Sequence, residues 1–440
     1  MKFKKIDVSD GLQLSNEGLN AVIKNVFEGL RDVQDRYLAS IEENKEKFQK
    51  FISPGKSLKK NYPSFLSVLR RWNSYTPVLA TINNHPKGGG YFVHHKGIGI
   101  VIDPGYNFLQ NFFEQDFKLD DIDVILITHA HNDHTVELES IFSLLYKRNK
   151  DRTPRKQKKI DLYLNLGTFK KFAGYFDLSH ENYPTYIRNI VLLDSHNEYR
   201  IPKEPYRISE GLKSDISIYT TKTQHHEMIT SSYALGFVLK CGDRILRFTG
   251  DTGWNDKIED QNMKFMISRQ IEDVDVLIPH LGSIKKEEFD FDYSKGIKEN
   301  IAGKKFYKWH LGILGSICMI HQHKNPDLVI FSEFGEELKD IRKGLIEKIS
   351  SAMGIKCFPG DIGLHVNLDD LSIFCSKKGV FVPKDDIEYY RVKDDVKDNI
   401  IYISRTSFTM GESADKQGAA QSCDIKSLGS CLITLGKTHA

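Results

Sequence analysis

Cysteine is scarce in this chain. Its six cysteines, Cys241, Cys318, Cys357, Cys375, Cys423 and Cys431, are scattered over 440 residues with no Cys-x-x-Cys pair. That spacing excludes a disulfide framework and a thiolate zinc knuckle. It predicts a reducing, cytoplasmic setting. Long apolar runs are missing too. No stretch approaches the ~18 apolar residues of a membrane span, so no membrane partner is expected. The first residues, Met1-Lys2-Phe3-Lys4-Lys5-Ile6-Asp7, lack the apolar core of a signal peptide. Charge of one sign is not in excess: 62 Lys and Arg stand against 59 Asp and Glu, a net +3. Overall charge therefore gives no case for a polyanion binder. Gly88-Gly89-Gly90 has neither the lysine nor the helix of a phosphate-binding loop, and it reads as a tight turn. There is no internal repeat and no heptad series.

Histidine, by contrast, is clustered. Residues 129–134 read His-Ala-His-Asn-Asp-His, which places four metal-ligand types, His129, His131, Asp133 and His134, within six positions. The run Ile122–Thr128 before them reads as a buried strand, and Val136–Tyr146 after them has helical apolar spacing. The cluster therefore sits on a strand-to-helix loop, where side chains can converge on an open site. Imidazole with carboxylate suits zinc or a neighbouring first-row metal. There are too many ligands for one open tetrahedral ion, which points to two adjacent metals.

Further ligands are expected at later strand ends. Tyr219–Glu227 carries His225 and His226; Arg244–Gly253 carries Asp251 in a turn that Gly250 allows. Val274–His280 ends in His280, Lys308–Gly312 contains His310, and Leu328–Gly335 ends in Glu333. Each alone is weak, since a lone Gly-Asp is more often a turn. The case rests on their order after the hexapeptide.

Together these residues resemble the metallo-β-lactamase superfamily over residues 76–370. Within it, Phe248-Thr249-Gly250-Asp251-Thr252 and His310 are similar to the ribonuclease Z-like phosphodiesterase branch. The resemblance implies a four-layer αββα sandwich of the α/β class. It makes Asp103 a structural aspartate that orients the metal loop, His225 the third motif with His226 as its rival, and Asp251 the bridging aspartate. One departure stands out. The family's last ligand histidine falls where this chain has Ser332-Glu333-Phe334. Either Glu333 is that ligand, or His310 or His280 takes its place. The long flexible arm of transfer-RNA processing versions has no obvious copy here.

On this reading His129, His131 and His225 hold one divalent ion and Asp133, His134 and Glu333 the other. Asp251 bridges them. Two such ions, zinc or else manganese, can share a bridging water and lower its pKa from about 16 toward about 7. The expected catalytic residues are Asp133, His310 and His280. His310 contacts the phosphoryl oxygen or protonates the leaving group, and His280 has a second reading as an orienter of ligands. The leading expectation is a phosphodiesterase or nuclease acting on RNA, DNA or a nucleotide phosphodiester. The basic stretch Lys147–Lys159 supports it, since it would attract a phosphate backbone. One alternative is hydrolysis of a lactone, thioester or β-lactam. Another is a partner-controlled effector or metal-stabilised interaction module with little activity of its own.

The sequence divides into three parts. Residues 1–75 read as a helical accessory segment. Leu19, Val22, Ile23, Val26, Leu30, Val33, Tyr37 and Ile41 recur at helical steps over 14–50, Ser15 is the candidate cap, and the Ser53–Ser57 stretch breaks the helix. These helices could carry a protein partner or a homo-oligomer contact. Residues 76–370 read as the catalytic domain, and 371–440 as a C-terminal extension that is loose over 409–430.

Overall fold

The computed structural model describes residues 16–72, 88–150, 152–176, 186–201, 215–227, 233–324, 326–335, 338 and 341–375. The expected cap at Ser15 and the tail beyond 375, with Cys423 and Cys431, lie outside these residues. The chain forms two compact units, Met1–Pro54 and Gly55–Ala440.

The first unit holds two helices, α1 (Asn16–Gly29) and α2 (Arg31–Ile52). The sequence suggests one helix, but it breaks at Gly29-Leu30, where glycine costs about 1 kcal/mol relative to alanine. Many apolar side chains of this unit, among them Leu19, Val22, Val26, Leu30 and Tyr37, are exposed, while Ile52 at the end of α2 is buried.

The second unit contains two eight-stranded sheets. In chain order the strands are β1 (Phe65–Val68), β2 (Tyr91–His95), β3 (Ile98–Ile102), β4 (Val124–Ile127), β5 (Ile160–Asn165), β6 (Ile187–Leu193), β7 (Glu198–Arg200), β8 (Ile216–His226), β9 (Tyr233–Cys241), β10 (Arg244–Phe248), β11 (Val276–Ile278), β12 (His280–Gly282), β13 (Leu328–Phe334), β14 (Cys357–Pro359), β15 (Leu364–Asn367) and β16 (Ile373–Cys375). The first sheet runs β16-β15-β1-β2-β3-β4-β5-β6. The second runs β12-β13-β11-β10-β9-β8-β7, with β14 beside β13.

Alternation along the strands builds the layers. Phe237 and Leu239 of β9, Leu246 and Phe248 of β10, and Leu328 and Ile330 of β13 share one core with the first sheet. Val238, Val329 and Phe331 point the other way and pack with residues such as Met266, Met319 and Ile346 of covering helices. Helix Leu138–Asn149 places Leu138, Ile141 and Leu145 in the first core. The result is a four-layer α/β sandwich.

Two boundaries differ from the sequence reading. Residues 55–72, grouped there with the accessory segment, belong to the sandwich. β1 pairs with both β2 and β15. Asp121 Oδ1 accepts the backbone N–H groups of Ser57 and Leu58 at 2.8 and 2.9 Å, which anchors the segment before it. At the other end β16 pairs with β15, so the sheet runs past residue 370. Gly88–Gly90 does not form the expected turn but leads into β2, with Gly89 at φ 134°. A Cβ on Gly89 would meet the Leu69 carbonyl oxygen at 1.8 Å, so only glycine permits that approach.

Strands β3, β4, β5 and β6 are parallel neighbours, as are β10, β11 and β13. Their carboxyl ends carry the metal-ligand candidates. The basic stretch 147–159 lies at the opposite end. It enters β5 at Ile160, and Asp161 pairs with Val124 at the start of β4. Lys158 Nζ donates to Asp123 Oδ1 at 2.7 Å and Arg148 Nε to Asp120 Oδ1 at 2.5 Å. These cations brace the fold, far along the strands from the histidine loop.

Candidate metal centre

The loop after β4 is fixed from three sides. Asp103, buried just after β3 at φ 50°, accepts the Thr128 N–H and hydroxyl, each at 2.7 Å. His134 Nδ1 lies 2.9 Å from the same carboxylate. With a proton on Nδ1, the Nε2 lone pair turns inward, as a ligand must. Glu227, two residues after His225, is buried. Its Oε1 accepts from Ala130 N at 2.8 Å and Asn165 Nδ2 at 2.6 Å. Lys171 Nζ donates to Ala130 O, Asn132 Oδ1 and Thr135 Oγ1 at 2.7, 2.8 and 2.7 Å. The short helix Asn132–Thr135 then presents Asp133 and His134 side by side.

Two donor groups result. In the first, His129 Nε2 is 2.9 Å and His225 Nε2 3.3 Å from His131 Nδ1. Nitrogens this close cannot all carry protons. Burial, with His134 beside it, holds His129 well below its usual pKa, and burial with His225 lowers His131. Neutral imidazole is the form that ligates. His225 Nδ1 donates to the Trp309 carbonyl at 3.1 Å, which turns its Nε2 inward. His226, the next residue on β8, is exposed.

In the second group, His134 Nε2 lies 3.2 Å from Asp133 Oδ2, 3.6 Å from Asp251 Oδ2 and 3.9 Å from Glu333 Oε2. Gly250 makes the turn that aims Asp251. It has φ 61°, and a Cβ there would meet the Leu235 carbonyl oxygen at 2.5 Å. Asp251 Oδ2 also stands 3.9 Å from His129 Nε2 and 4.0 Å from His225 Nε2. It therefore lies between the groups.

His280 sits behind the carboxylates, fully buried. Its Nδ1 is 2.8 Å from Glu333 Oε1 and 3.2 Å from Asp251 Oδ1. Its Nε2 is 3.0 Å from Tyr91 Oη, which donates to Ser332 Oγ. Burial opposes charge on His280, but Glu333 and Asp251 outweigh it and push its pKa up to about 9. His310 is on the open side. It is partly exposed, its Nδ1 is 4.0 Å from Asp251 Oδ2, and its ring is 5.5 Å from that of His225.

The residues fit divalent ions. His134 Nε2 and Glu333 Oε2 are buried without a hydrogen-bond partner. Asp133 and Glu333 push His134 well above its usual pKa against the effect of burial, so the pocket attracts positive charge. His129, His131 and His225 form one set that could hold an ion; Asp133, His134, Asp251 and Glu333 form another.

The family described as "Beta-lactamase superfamily domain" matches residues 99–329, more than half the chain. The chain belongs to the metallo-β-lactamase superfamily. None of the curated proteins compared with it matches. Among solved structures, it is similar to a metallo-beta-lactamase fold protein from Bacillus subtilis, at 12% identity and TM-score 0.46, covering 69% of this chain and 99% of that one. Human tRNase Z, short form, shows 14% identity and TM-score 0.44 with the same coverage. Unliganded yeast PDE1 shows 10% identity and TM-score 0.46, again at 69% and 99%. Likeness at this level carries nothing about substrate or activity.

In this metallo-β-lactamase fold, His129, His131, Asp133, His134, His225, Asp251, His280, His310 and Glu333 meet at one place. Arg70, Tyr91, Asn165 and Lys171 join them without having been singled out in the sequence. His365 lies elsewhere, on β15. It is buried beside Phe65 and Phe117. Burial pushes the Cys241, Cys318 and Cys357 thiols up to about 12, so they remain protonated. No described helix is long and apolar enough to cross a membrane.

Proposed function

We propose that this metal-dependent hydrolase is a two-ion phosphodiesterase acting on a small nucleotidic phosphodiester, with zinc as its ion and manganese as the alternative. The observation that carries the reading is Asp251 Oδ2, placed between two donor groups and within 4.0 Å of ring nitrogens in each. When bound, the ions supply a water of lowered pKa and offset charge that develops on a phosphoryl oxygen. His129, His131 and His225 would hold the first, Asp133, His134 and Glu333 the second, and Asp251 both.

The remaining work falls to the chain's own side chains. His310, on the open side, donates a proton to the leaving oxygen. It fits because Gly282 has no side chain: a Cβ there would lie 2.6 Å from His310 Cβ. His280 holds Asp251 and Glu333 and is too deep to reach a substrate, so its role is orientation. Lys308 Nζ lies 4.3 Å from the ring centroid of exposed Trp309, and Lys285 Nζ 4.8 Å from that of Tyr307. These cations beside His310 favour an anionic substrate. The 147–159 stretch lies at the opposite strand ends, which favours a small substrate over a long polymer.

Bis(p-nitrophenyl) phosphate turnover tests the reading. Asp133→Ala and Asp251→Ala lower it by on the order of 10³-fold or more. Full activity in both variants overturns it.

A further inference from the structure

Behind the second donor group lies a cation that the reading above does not use. Arg70 follows β1 and is fully buried. Its Nη1 stands 2.7 Å from Glu333 Oε1, and its Nη2 donates to the Asp133 carbonyl at 3.2 Å. Among the described residues, Glu333 is the one carboxylate within 4.0 Å of it. His280 Nδ1 meets the same Oε1. Oε2 is left buried, without a hydrogen-bond partner, 3.9 Å from His134 Nε2. The backbone adds to the constraint, because Glu333 sits at φ 57°, a costly conformation for a residue with a side chain. A buried ion pair stabilises little relative to apolar groups of the same size, so packing alone does not account for this one.

We propose that Arg70 and Glu333 act together as one neutral ligand. The guanidinium holds Oε1, turns Oε2 alone toward the second ion, and cancels the charge that a lone glutamate would add beside Asp133 and Asp251. Arg70 is a positioning residue in this scheme, which rests on the two-ion reading. A consequence follows for any neutral donor at 333. Such a donor needs no arginine and is harmed by one, because the uncancelled guanidinium repels the ion.

Zinc content and affinity of the purified full-length chain provide the test, by elemental analysis and calorimetric titration. The wild type holds two ions. Glu333→His weakens the second by at least about tenfold, and adding Arg70→Met restores most of that loss. An arginine with a merely structural role gives the opposite order, with the double variant worse than the single. A double variant no tighter than Glu333→His overturns this inference alone. A wild type holding one ion overturns the two-ion reading and the inference with it. Should the histidine variants fail to fold, Glu333→Gln with and without Arg70→Met makes the same comparison, with the same expected order.

Discussion

The two ends of the parallel strands carry dense charge in opposite states. At the amino ends of β4 and β5, acids and bases are paired: Lys158 and Lys56 with Asp123, Arg148 with Asp120. At the carboxyl ends, Asp133, Asp251 and Glu333 crowd against imidazoles, and His134 Nε2 and Glu333 Oε2 have no hydrogen-bond partner. A saturated network has nothing left to offer a ligand. Convergent buried donors without partners do. Pairing therefore separates scaffold from site here, where density of charge does not.

The comparison predicts that breaking the saturated end costs stability and spares chemistry. Asp123→Ala strands Lys158, whose side chain is 7% exposed, and lowers unfolding free energy by about 3 kcal/mol. Turnover per folded molecule stays unchanged. Chemical denaturation beside a kcat measurement checks this. Loss of kcat in the folded variant would mean that the two ends are coupled.

A smaller effect sharpens the other half of the contrast. His365 also has two buried nitrogens without partners, yet its neighbours include phenylalanine rings at 6.2 and 6.3 Å. Burial holds its pKa down at about 3, against an ordinary value of 6.5. Below pH 6.5 the unfolded chain takes up a proton that the folded chain refuses. Stability therefore falls with pH from about 6.5 toward 3, by about 1.4 kcal/mol per pH unit. His365→Phe removes about 2 kcal/mol of the stability difference between urea melts at pH 7 and pH 5. His94, held down at about 4 by burial, keeps a slope of its own. An unchanged slope in the variant would show that His365 is not a buried neutral imidazole.

Much of the site was legible because its residues sit where strands end. The hexapeptide, Asp251 and Glu333 each close an apolar run, His225 closes a threonine-rich strand, and such segments can be read locally. Arg70 could not be found this way. It follows a four-residue strand, β1, whose partner β15 lies some 300 positions on, and a base in an apolar stretch names no partner. Lys171 and Asn165 escaped for a related reason: they act on the backbone and buried carboxylate around a loop tens of residues away. The stretch 147–159 misled because composition shows charge and not which end of a strand it reaches. The break at Leu30 and the extra strand β16 are boundary effects, where local preference is weak.

The central claim is that two cations lie on either side of Asp251. Anomalous scattering from crystals grown with zinc tests it most directly. The account predicts two peaks, one among His129, His131 and His225 and one among Asp133, His134 and Glu333, with the Asp251 carboxylate between them. No peak in this pocket, or zinc bound only elsewhere on the chain, would contradict it.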